Sequence, residues 1–520
     1  MKKFYSFCLF IFIFSSILVT PNVYSQTENP KIVLDTRAAK DKINKDIYGH
    51  FAEHLGFCIY NGFYVGEKSS VPNTNGVRND IINALKEMKI PVLRWPGGCF
   101  ADTYHWKDGI GPKEKRPKTL NVFWGQVPED NSFGTHEFMN LCDLLGCDPY
   151  LSLNLGSGTV QEMNEWIDYL TSPYSTNMPN LRKENGREKP WKVKYIGVGN
   201  ESWGCGGNMK PETYVEQFNR YSNYCFNYGE NKLFKVAVGP NGPDYNWTDV
   251  LMKNTSWDMQ GIGMHYYTCD WSNKWPATGF DKATWYTVIS EALKMDELIT
   301  KNSTIMDKYD PKKRVALLVD EWGTWYKVEP GTNPDFLYQQ NTLRDAIVAG
   351  LTLNIFNNHC DRVRMANLAQ TVNVLQSVIL TKDDKMVLTP TYYVFKMYKV
   401  HQNAKLIPNL LVDCPQYKEG KTNIPLINVS SSIDDKGIIN ITLCNMSDEK
   451  NFNTTIELPK LNIKSIKGEI VTGDKINSYN DFGKEPEVKD KEFKDFKINK
   501  ENIDVKLPAK SVVLLQVEQK

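Results

Sequence analysis

Short apolar runs alternate with longer amphipathic segments over most of the chain. Residues 195–199, Tyr-Ile-Gly-Val-Gly, are typical of the runs, since they are apolar, contain β-branched residues and end at a glycine. Residues 79–89 are typical of the segments, because apolar side chains from Ile81 to Met88 recur at helical spacing. The runs therefore predict buried strands, and the segments predict amphipathic helices.

The alternation repeats often enough to predict a fold. Eight strands are predicted, near residues 47, 92, 150, 195, 235, 262, 315 and 363. Helices are predicted between them, over residues 79–89, 137–145, 159–170, 211–228, 245–253, 285–307 and 338–354. Strands that alternate with helices form parallel βαβ units. Eight such units predict an α/β fold, a (β/α)8 TIM barrel over residues 42–385, with its active site at the carboxyl ends of the strands. An open doubly wound sheet competes, although no strand is followed by a GxGxxG turn.

The pattern changes after about residue 386. Short alternating runs such as residues 438–443 and 511–517 are separated by turns rich in Lys, Asn and Asp. This pattern predicts a C-terminal β-sandwich over residues 386–520. An early strand within residues 26–41 lies outside the eight, and we expect it to join the sandwich.

The N-terminus has the pattern of a secretory signal peptide. Lys2 and Lys3 precede an almost entirely apolar stretch, and small residues end at Ser25. We predict that residues 1–25 are removed and that the protein is exported, either to the periplasm or into the medium. No other run is long and apolar enough to cross a bilayer, so no membrane span is expected after signal removal.

Composition narrows the expected partners. The chain has 62 basic and 61 acidic residues, so its charge gives no argument for binding nucleic acid. Aromatic residues make up 12% of the chain and include 13 Trp, which can offer flat surfaces to sugars as well as fill the core. Homo-oligomers are compatible with this composition.

The cysteines show no zinc-type spacing, so we predict neither a metal nor a cofactor. Cys8 lies in the predicted signal peptide. We expect most of the others to be buried as small apolar residues. Pairing of Cys142 with Cys147 is left open.

Two of the predicted strands end in carboxylates. Glu201 follows the fourth strand and Glu321 ends the seventh. A buried carboxylate is costly unless a partner or a substrate uses it. A lone Glu at a strand end is more often a salt-bridge partner or a cap, but two of them across one barrel mouth are what cleavage of a glycosidic bond needs.

Seven sequence blocks in this order give a more specific indication. They are GHFAEHLG at 49–56, LRWPGG at 93–98, WKDGIGP at 106–112, GNE at 199–201, HYY at 265–267, DEW at 320–322 and AQTVNV at 369–374. With these blocks the chain resembles the α-L-arabinofuranosidases of glycoside hydrolase family 51, which belong to a clan of retaining (β/α)8 glycosidases. The resemblance implies Glu201 as general acid/base and Glu321 as nucleophile. Their carboxyl groups should then lie about 5–5.5 Å apart.

The resemblance also implies ligands for the sugar hydroxyls. Glu53 and Gln370 would bind hydroxyl groups, and Asn200 would donate to the 2-OH. An ion pair with His54 or a nearby Arg is the structural alternative for Glu53. A strand-end cap is the alternative for Asn200.

Five further residues would shape the site. Arg94 resembles the cation that keeps the nucleophile ionised, with a purely structural Arg as the competing interpretation. His265 and Tyr267 would orient the two carboxylates, although a histidine satisfied by backbone groups is about as common. Trp124 and Trp325 would form walls on the aglycone side, or else fill the core.

Cys99 departs from the family pattern, in which many members have Asn after the Pro-Gly-Gly turn to contact the sugar. A thiol is a weak donor, so we expect this contact to be lost or taken over by Asp102 or Tyr104. The departure affects aglycone preference more than the chemistry.

The implied function is that of an exported, retaining exo-α-L-arabinofuranosidase. Its partners would be arabinose-containing plant polysaccharides or oligosaccharides of the arabinan or arabinoxylan type. Two alternatives remain. One is another retaining glycosidase of the clan, with β-xylosidase or β-glucanase activity. The other is a non-catalytic carbohydrate-binding barrel, which the presence of both glutamates opposes.

Overall fold

Eight parallel strands close into a barrel in the computed structural model, which describes residues 29–420 and 422–520. Each strand pairs with the next along the chain, and the eighth pairs with the first. The strands, from first to eighth, are Gly49–Phe51, Val92–Trp95, Asp148–Leu153, Tyr195–Val198, Phe234–Asn241, Gly261–Thr268, Ala316–Thr324 and Val363–Leu368. The predicted fold class is confirmed.

The helices surround this barrel. Those in the described part of the chain are Asn79–Met88, Thr135–Leu145, Val160–Thr171, Asn177–Glu184, Pro211–Ser222, Tyr245–Thr255, Lys282–Tyr309, Leu343–Asn358 and Pro390–Tyr398. Each predicted helix has a counterpart, and the bounds differ most at two helix ends. The helix predicted over 211–228 ends at Ser222. The helix predicted from 338 begins only at Leu343, because Thr342 caps it through reciprocal hydrogen bonds with the Asp345 turn.

The first barrel strand is shorter than the sequence indicates. Residues Lys45–Tyr48 form a 3-10 turn, and only Gly49–Phe51 pairs with both neighbouring strands. Gly49 lies so close to the last strand that a Cβ there would be 2.3 Å from Asn367 Oδ1. The chain then leaves the barrel at once, which brings Glu53 to its rim.

A packed layer of side chains fills the barrel below its mouth. Val92, Tyr150, Val236, Leu318 and Met365, from five different strands, form a buried cluster there. Such a layer makes the barrel a core rather than a pore. Chemistry is therefore confined to the carboxyl ends of the strands.

The C-terminal part of the chain forms two sheets whose strands are mostly antiparallel. One has the strand order Asn409–Val412, Lys31–Leu34, Phe452–Glu457, Asn502–Leu507 and Phe496–Asn499. The other has the order Lys405–Leu406, Ile427–Ile433, Ile439–Asn445, Ser511–Gln519, Ile463–Thr472 and Asp490–Phe493. The early strand Lys31–Leu34 thus lies between strands of the C-terminal domain.

The connection between the two domains is buried. The boundary predicted at residue 385 falls inside a hairpin of Ile379–Lys382 and Lys385–Leu388. Helix Leu343–Asn358 is buried along almost its whole length, and its Asn354 accepts a hydrogen bond from Thr442 of the sandwich at 2.7 Å. A helix that is buried on all sides in this way fixes the sandwich against the barrel.

The predicted signal peptide, residues 1–25, lies outside the described residues. Among the helices that are described, none combines the length and the apolar composition that crossing a bilayer requires.

Candidate active site

The carboxyl ends of the barrel strands bring together eight polar residues that are far apart in the sequence. They are Glu53, Arg94, Asn200, Glu201, His265, Tyr267, Glu321 and Gln370, and hydrogen bonds connect them in three groups. All eight were predicted as site residues. Ligand and catalytic groups occupy this face in (β/α)8 barrels because the loops there are free to vary.

Glu321 lies near the carboxyl end of the seventh strand, in an enclosed setting. Only 5% of its side chain is exposed. Oε1 accepts a hydrogen bond from Arg94 Nη1 at 2.6 Å, and Oε2 accepts one from Tyr267 Oη at 2.8 Å. The Nδ1 of His265 lies 3.4 Å from Oε2. Every partner is a donor, so both carboxylate oxygens are held as acceptors in a fixed orientation.

Arg94 joins the nucleophile candidate to the fourth strand. Besides Glu321, it donates from Nη2 to Asn200 Oδ1 at 2.6 Å, while its guanidinium lies 4.6 Å from the centre of the Phe51 ring. Burial alone would lower the pKa of Arg94, but the carboxylates of Glu321 and Asp320 raise it above its usual value. Arg94 is therefore both a structural cation and a direct partner of the site.

Glu201 has a different environment. It follows the fourth strand with a backbone φ of +37°, which is unusual for a residue other than glycine. Its side chain is 18% exposed, against 5% for Glu321. Oε1 lies 2.9 Å from His265 Nδ1, and Oε2 lies 3.5 Å and 4.0 Å from the sulfurs of Cys205 and Cys99. Burial raises the pKa of Glu201, and the charge of Glu321 raises it further.

His265 lies between three carboxylates. Its Nδ1 faces Glu201 and Glu321, and its Nε2 lies 3.3 Å from Asp320 Oδ1. Burial would lower the pKa of His265, but these carboxylates raise it to about 10. The imidazole is therefore protonated at neutral pH and donates from both nitrogens.

Asp320 is a site residue that the sequence reasoning did not single out. It accepts a hydrogen bond from Tyr150 Oη at 2.8 Å and lies within 3.9 Å of Arg94 Nε. Burial would raise the pKa of Asp320, but the hydrogen bond from His265 and the nearby Arg94 lower it. Its position, directly before the glutamate of the seventh strand, was the available signal. Asp320 fixes the cations that in turn orient the two glutamates.

Glu53 is held entirely by neutral donors. Oε1 accepts from the backbone N–H of Phe100 and from Trp124 Nε1, both at 3.0 Å, and Oε2 accepts from Gln370 Nε2 at 2.9 Å. No ion pair of Glu53 occurs among residues 29–420 and 422–520, and His54 pairs with Glu129 instead. The ion-pair alternative for Glu53 is therefore wrong.

The turn after the second strand fits closely around Glu53. A Cβ at Gly97 or Gly98 would be 2.9 Å or 2.8 Å from Glu53 Oε1, so only glycine allows this approach. Burial raises the pKa of Glu53 to about 7, with a further contribution from Glu321. Gln370 keeps its buried Oε1 without a partner in the described part of the chain. An unpaired buried amide oxygen is costly unless a ligand donates to it.

Asn200 has one group left for a ligand. Its Oδ1 accepts from Arg94, whereas its Nδ2 has only the sulfur of Cys205 at 3.9 Å. Asn200 is therefore not a simple strand-end cap, because its amide N–H group has no strong hydrogen-bond partner.

Comparison with known proteins agrees with this geometry. The family model described as "Alpha-L-arabinofuranosidase 1 domain" matches residues 84–277, and "Alpha-L-arabinofuranosidase C-terminal domain" matches residues 320–511. An intracellular exo-α-L-arabinofuranosidase of Bacteroides ovatus is 53% identical over 95% of this chain and 96% of its own length. The chain belongs to the α-L-arabinofuranosidases of glycoside hydrolase family 51.

Solved structures of the family also superpose on this chain. The family 51 arabinofuranosidase of Xanthomonas axonopodis pv. citri superposes with a TM-score of 0.93 at 46% identity, over 94% of this chain and 100% of that one. The α-L-arabinofuranosidase of Thermotoga maritima in its arabinose complex gives 0.84 at 29% identity, over 95% and 100%. The predicted family is confirmed, and the chain is a glycoside hydrolase rather than a non-catalytic barrel.

An aromatic wall continues from the family 51 site toward solvent. Trp325 contacts Tyr267 edge-on at 5.1 Å between ring centres, and Trp271 contacts Trp325 at 5.2 Å. Lys274 Nζ lies 4.5 Å from the centre of the Trp325 ring. Trp271 is 64% exposed and was missed by the sequence reasoning, although it follows the sixth strand by only a few residues.

Cys99 is not the free thiol that we expected. It forms a disulfide with Cys205, with Cα atoms 5.5 Å apart, so it has no S–H to donate. Cys205 was also missed, although it lies four residues after Glu201 in the sequence. Cys142 and Cys147, the pair left open, are both free. Their side chains are buried, as most cysteines of the chain are.

Asp102 and Tyr104, the residues proposed to replace Cys99 as a sugar ligand, are both buried, and Asp102 Oδ2 and Tyr104 Oη have no hydrogen-bond partner in the described part of the chain. Asp102 accepts hydrogen bonds from the backbone N–H groups of Leu155 and Gly156 at 2.9 Å and 2.7 Å. Tyr104 is buried among aromatic rings, with His54 stacked at 6.0 Å and Trp95 edge-on at 5.3 Å. Replacement of the lost contact by Asp102 or Tyr104 therefore stays a prediction.

Proposed function

We propose that this enzyme is an exported, retaining exo-α-L-arabinofuranosidase that removes terminal non-reducing arabinofuranosyl residues from arabinan- or arabinoxylan-type chains. The observation that carries the proposal is the pair Glu201 and Glu321, which have carboxylate oxygens within 4.8 Å of each other. Retaining enzymes place the two carboxyl groups about 5–5.5 Å apart, whereas inverting enzymes leave about 6.5–9.5 Å for a water.

In the first half of the reaction, a carboxylate oxygen of Glu321 attacks the anomeric carbon. The bond from that carbon to the leaving oxygen breaks, and Glu201 gives its proton to the leaving oxygen. The donors on both oxygens of Glu321 hold it as an acceptor, while burial raises the pKa of Glu201 and favours a proton there. The product is a covalent arabinosyl-enzyme.

In the second half, Glu201 takes a proton from water, and the water oxygen attacks the anomeric carbon. The ester bond to Glu321 breaks, and arabinose leaves with its original configuration. The negative charge of Glu321 is absent from the ester, so it no longer raises the pKa of Glu201. The same side chain thereby changes from acid to base.

Three groups support recognition of the arabinose ring. Asn200 Nδ2 is available to the 2-OH, Gln370 Oε1 is an unpaired acceptor, and Glu53 is fixed by donors beside them. Trp124 lies beside Glu53, and Trp325 lies beside Tyr267. Both rings would contact the aglycone there.

Two observations support export. The N-terminal residues have the pattern of a signal peptide, and disulfides form and persist in oxidising compartments. The Bacteroides ovatus relative is called intracellular, so the compartment needs its own test. Fractionation of cells that express the full chain, with N-terminal sequencing, should find a mature protein outside the cytoplasm that begins at Gln26. A cytoplasmic protein that begins at Met1 would contradict export.

A substrate panel with product analysis tests the activity. The purified enzyme should release 4-nitrophenol from the α-L-arabinofuranoside and not from the β-xyloside or β-glucoside. Proton NMR should show the α-anomer of arabinose first. The enzyme should also trim arabinan and arabinoxylan oligosaccharides from the non-reducing end. Early β-anomer, or turnover confined to the β-xyloside, would contradict the proposal.

A further inference from the structure

A disulfide joins two loops at the mouth of the barrel. Cys99 follows the Gly97-Gly98 turn after the second strand, and Cys205 belongs to the loop after the fourth strand, 106 residues later. This second loop also carries Glu201. The bond is therefore a covalent connection between the loop that carries the acid/base candidate and the turn that encloses Glu53.

The Glu201 loop is compact and has an unusual backbone. Glu201 adopts φ of +37°, and its carbonyl accepts hydrogen bonds from Gly204 N at 2.7 Å and Gly206 N at 3.1 Å. Gly206 approaches so closely that a Cβ there would be 1.8 Å from the carbonyl oxygen of Asn200. A residue other than glycine at positive φ persists only where the surroundings hold it. The disulfide is one of the groups that hold this loop.

The disulfide also determines what Glu201 meets. Oε1 receives the donor His265 Nδ1 at 2.9 Å, whereas Oε2 faces the sulfurs of Cys205 and Cys99 at 3.5 Å and 4.0 Å. Disulfide sulfurs carry no hydrogen and cannot donate, although two thiols could. Oε2 is thus the oxygen that can hold the transferable proton.

We propose that the Cys99–Cys205 disulfide is a positioning element for Glu201, which fixes its loop on the barrel and keeps proton donors away from Oε2. The inference rests on the proposed role of Glu201 as general acid. Breaking the disulfide should weaken protonation of the leaving oxygen and leave attack by Glu321 intact. The defect should then depend on how much the leaving group needs a proton.

Two double variants separate the two parts of this role. Cys99→Ala/Cys205→Ala removes the connection and adds no donor. Cys99→Ser/Cys205→Ser removes the connection and adds hydroxyl donors near Oε2. The readout is kcat/KM for α-1,5-arabinotriose, which has an alkoxide leaving group, and for 4-nitrophenyl α-L-arabinofuranoside, which scarcely needs acid assistance.

We expect kcat/KM for arabinotriose to fall about ten-fold in the alanine variant, a small part of what general acid catalysis supplies, and to change less than about two-fold for the aryl substrate. In the serine variant, the alkaline limb of the arabinotriose pH profile should also move to lower pH, because a donor to Oε2 favours the carboxylate. Cys142→Ala/Cys147→Ala removes two free cysteines. It should change neither the ratio of the kcat/KM values for the two substrates nor the pH profile for arabinotriose.

Wild-type enzyme treated with dithiothreitol gives the same test without a substitution, with alkylation and mass spectrometry to count the two released thiols. It covers the case in which a double variant fails to fold. Equal losses on both substrates, or no loss on either after complete reduction, would overturn the proposal. Glu201→Ala serves as the benchmark: if it too loses activity equally on both substrates, the proposed role of Glu201 itself has failed.

Discussion

The two glutamates of the site are chemically identical side chains in unlike environments. Glu321 is 5% exposed and accepts hydrogen bonds on both oxygens, from Arg94 and Tyr267. Glu201 is 18% exposed, meets one donor on Oε1 and faces a disulfide with Oε2. Donors on both oxygens hold the Glu321 carboxylate as an acceptor, whereas the absence of a donor on Oε2 of Glu201 leaves room for a proton. Substitution of Glu321 or of Glu201 removes one side of this contrast.

Glu321→Ala should give the largest effect. Without the nucleophile no arabinosyl-enzyme forms, so kcat on both aryl substrate and oligosaccharide should fall by about 10⁴-fold or more. Steady-state kinetics on both substrates measures this, and circular dichroism checks the fold. Residual activity within about ten-fold of wild type would contradict the nucleophile assignment.

Glu201→Gln should produce a loss that depends on the leaving group. The amide cannot donate a proton, so kcat/KM for an oligosaccharide should fall by about 10²–10⁴-fold, with a much smaller fall for 4-nitrophenyl arabinofuranoside. Because the pKa of Glu201 is raised, wild-type activity on oligosaccharides should decline as pH rises through that pKa. An identical loss on both substrates would remove the contrast with Glu321.

These roles show how far the sequence could predict the site. The strand-end positions of Glu201 and Glu321 follow from apolar runs that stop at polar residues, and the resemblance to family 51 named their partners. The disulfide could not be predicted, because Cys99 and Cys205 meet only when the second and fourth strands are neighbours of the third in the closed barrel. The role of Asp320 was hidden for the same reason, since its partners come from three other strands.

The fold was predictable where strands are long. The seventh strand, Ala316–Thr324, begins with a continuous apolar run, residues 316–319, because both of its faces are buried. The first strand was overextended, since Gly49–Phe51 is too short to give a periodic signal and Lys45–Tyr48 turns instead. Helix Leu343–Asn358 has no polar face, which is typical of a helix that is buried on all sides.

Glu53→Gln should change stability in a pH-dependent way. The pKa of Glu53 rises from 4.5 to about 7 in the folded protein, so its favourable contribution is complete below about 4.5 and is lost as pH rises through about 7. The variant lacks this loss. Its free energy of unfolding relative to that of the wild type should therefore rise between pH 5 and pH 8, by about 3 kcal/mol at most. Thermal unfolding midpoints at the two pH values measure the difference.

Glu67→Gln is the control for this titration, because Glu67 is exposed and its pKa is lowered by Lys113. Its difference from wild type should be the same at both pH values. If the stability difference between Glu53→Gln and wild type is also the same at both pH values, Glu53 is already ionised across this range.

Trp325→Ala should give the smallest effect. Removing one ring of the aglycone wall should lower kcat/KM for arabinan oligosaccharides by about 2- to 10-fold and leave the pH profile unchanged, because neither glutamate loses a partner. Trp257→Ala is the matched control, since Trp257 is 68% exposed and precedes the sixth strand at the opposite end of the barrel. Equal effects of the two substitutions would place Trp325 outside the substrate path.

The stereochemistry of azide rescue tests the assignment of the two glutamates most directly. With an activated arabinofuranoside and sodium azide, Glu321→Ala should give the β-azide, because azide enters where the nucleophile was. Glu201→Ala should give the α-azide, because azide attacks the arabinosyl-enzyme from the side of the missing base. Proton NMR distinguishes the two products. The reverse pairing of variant and anomer would contradict the account.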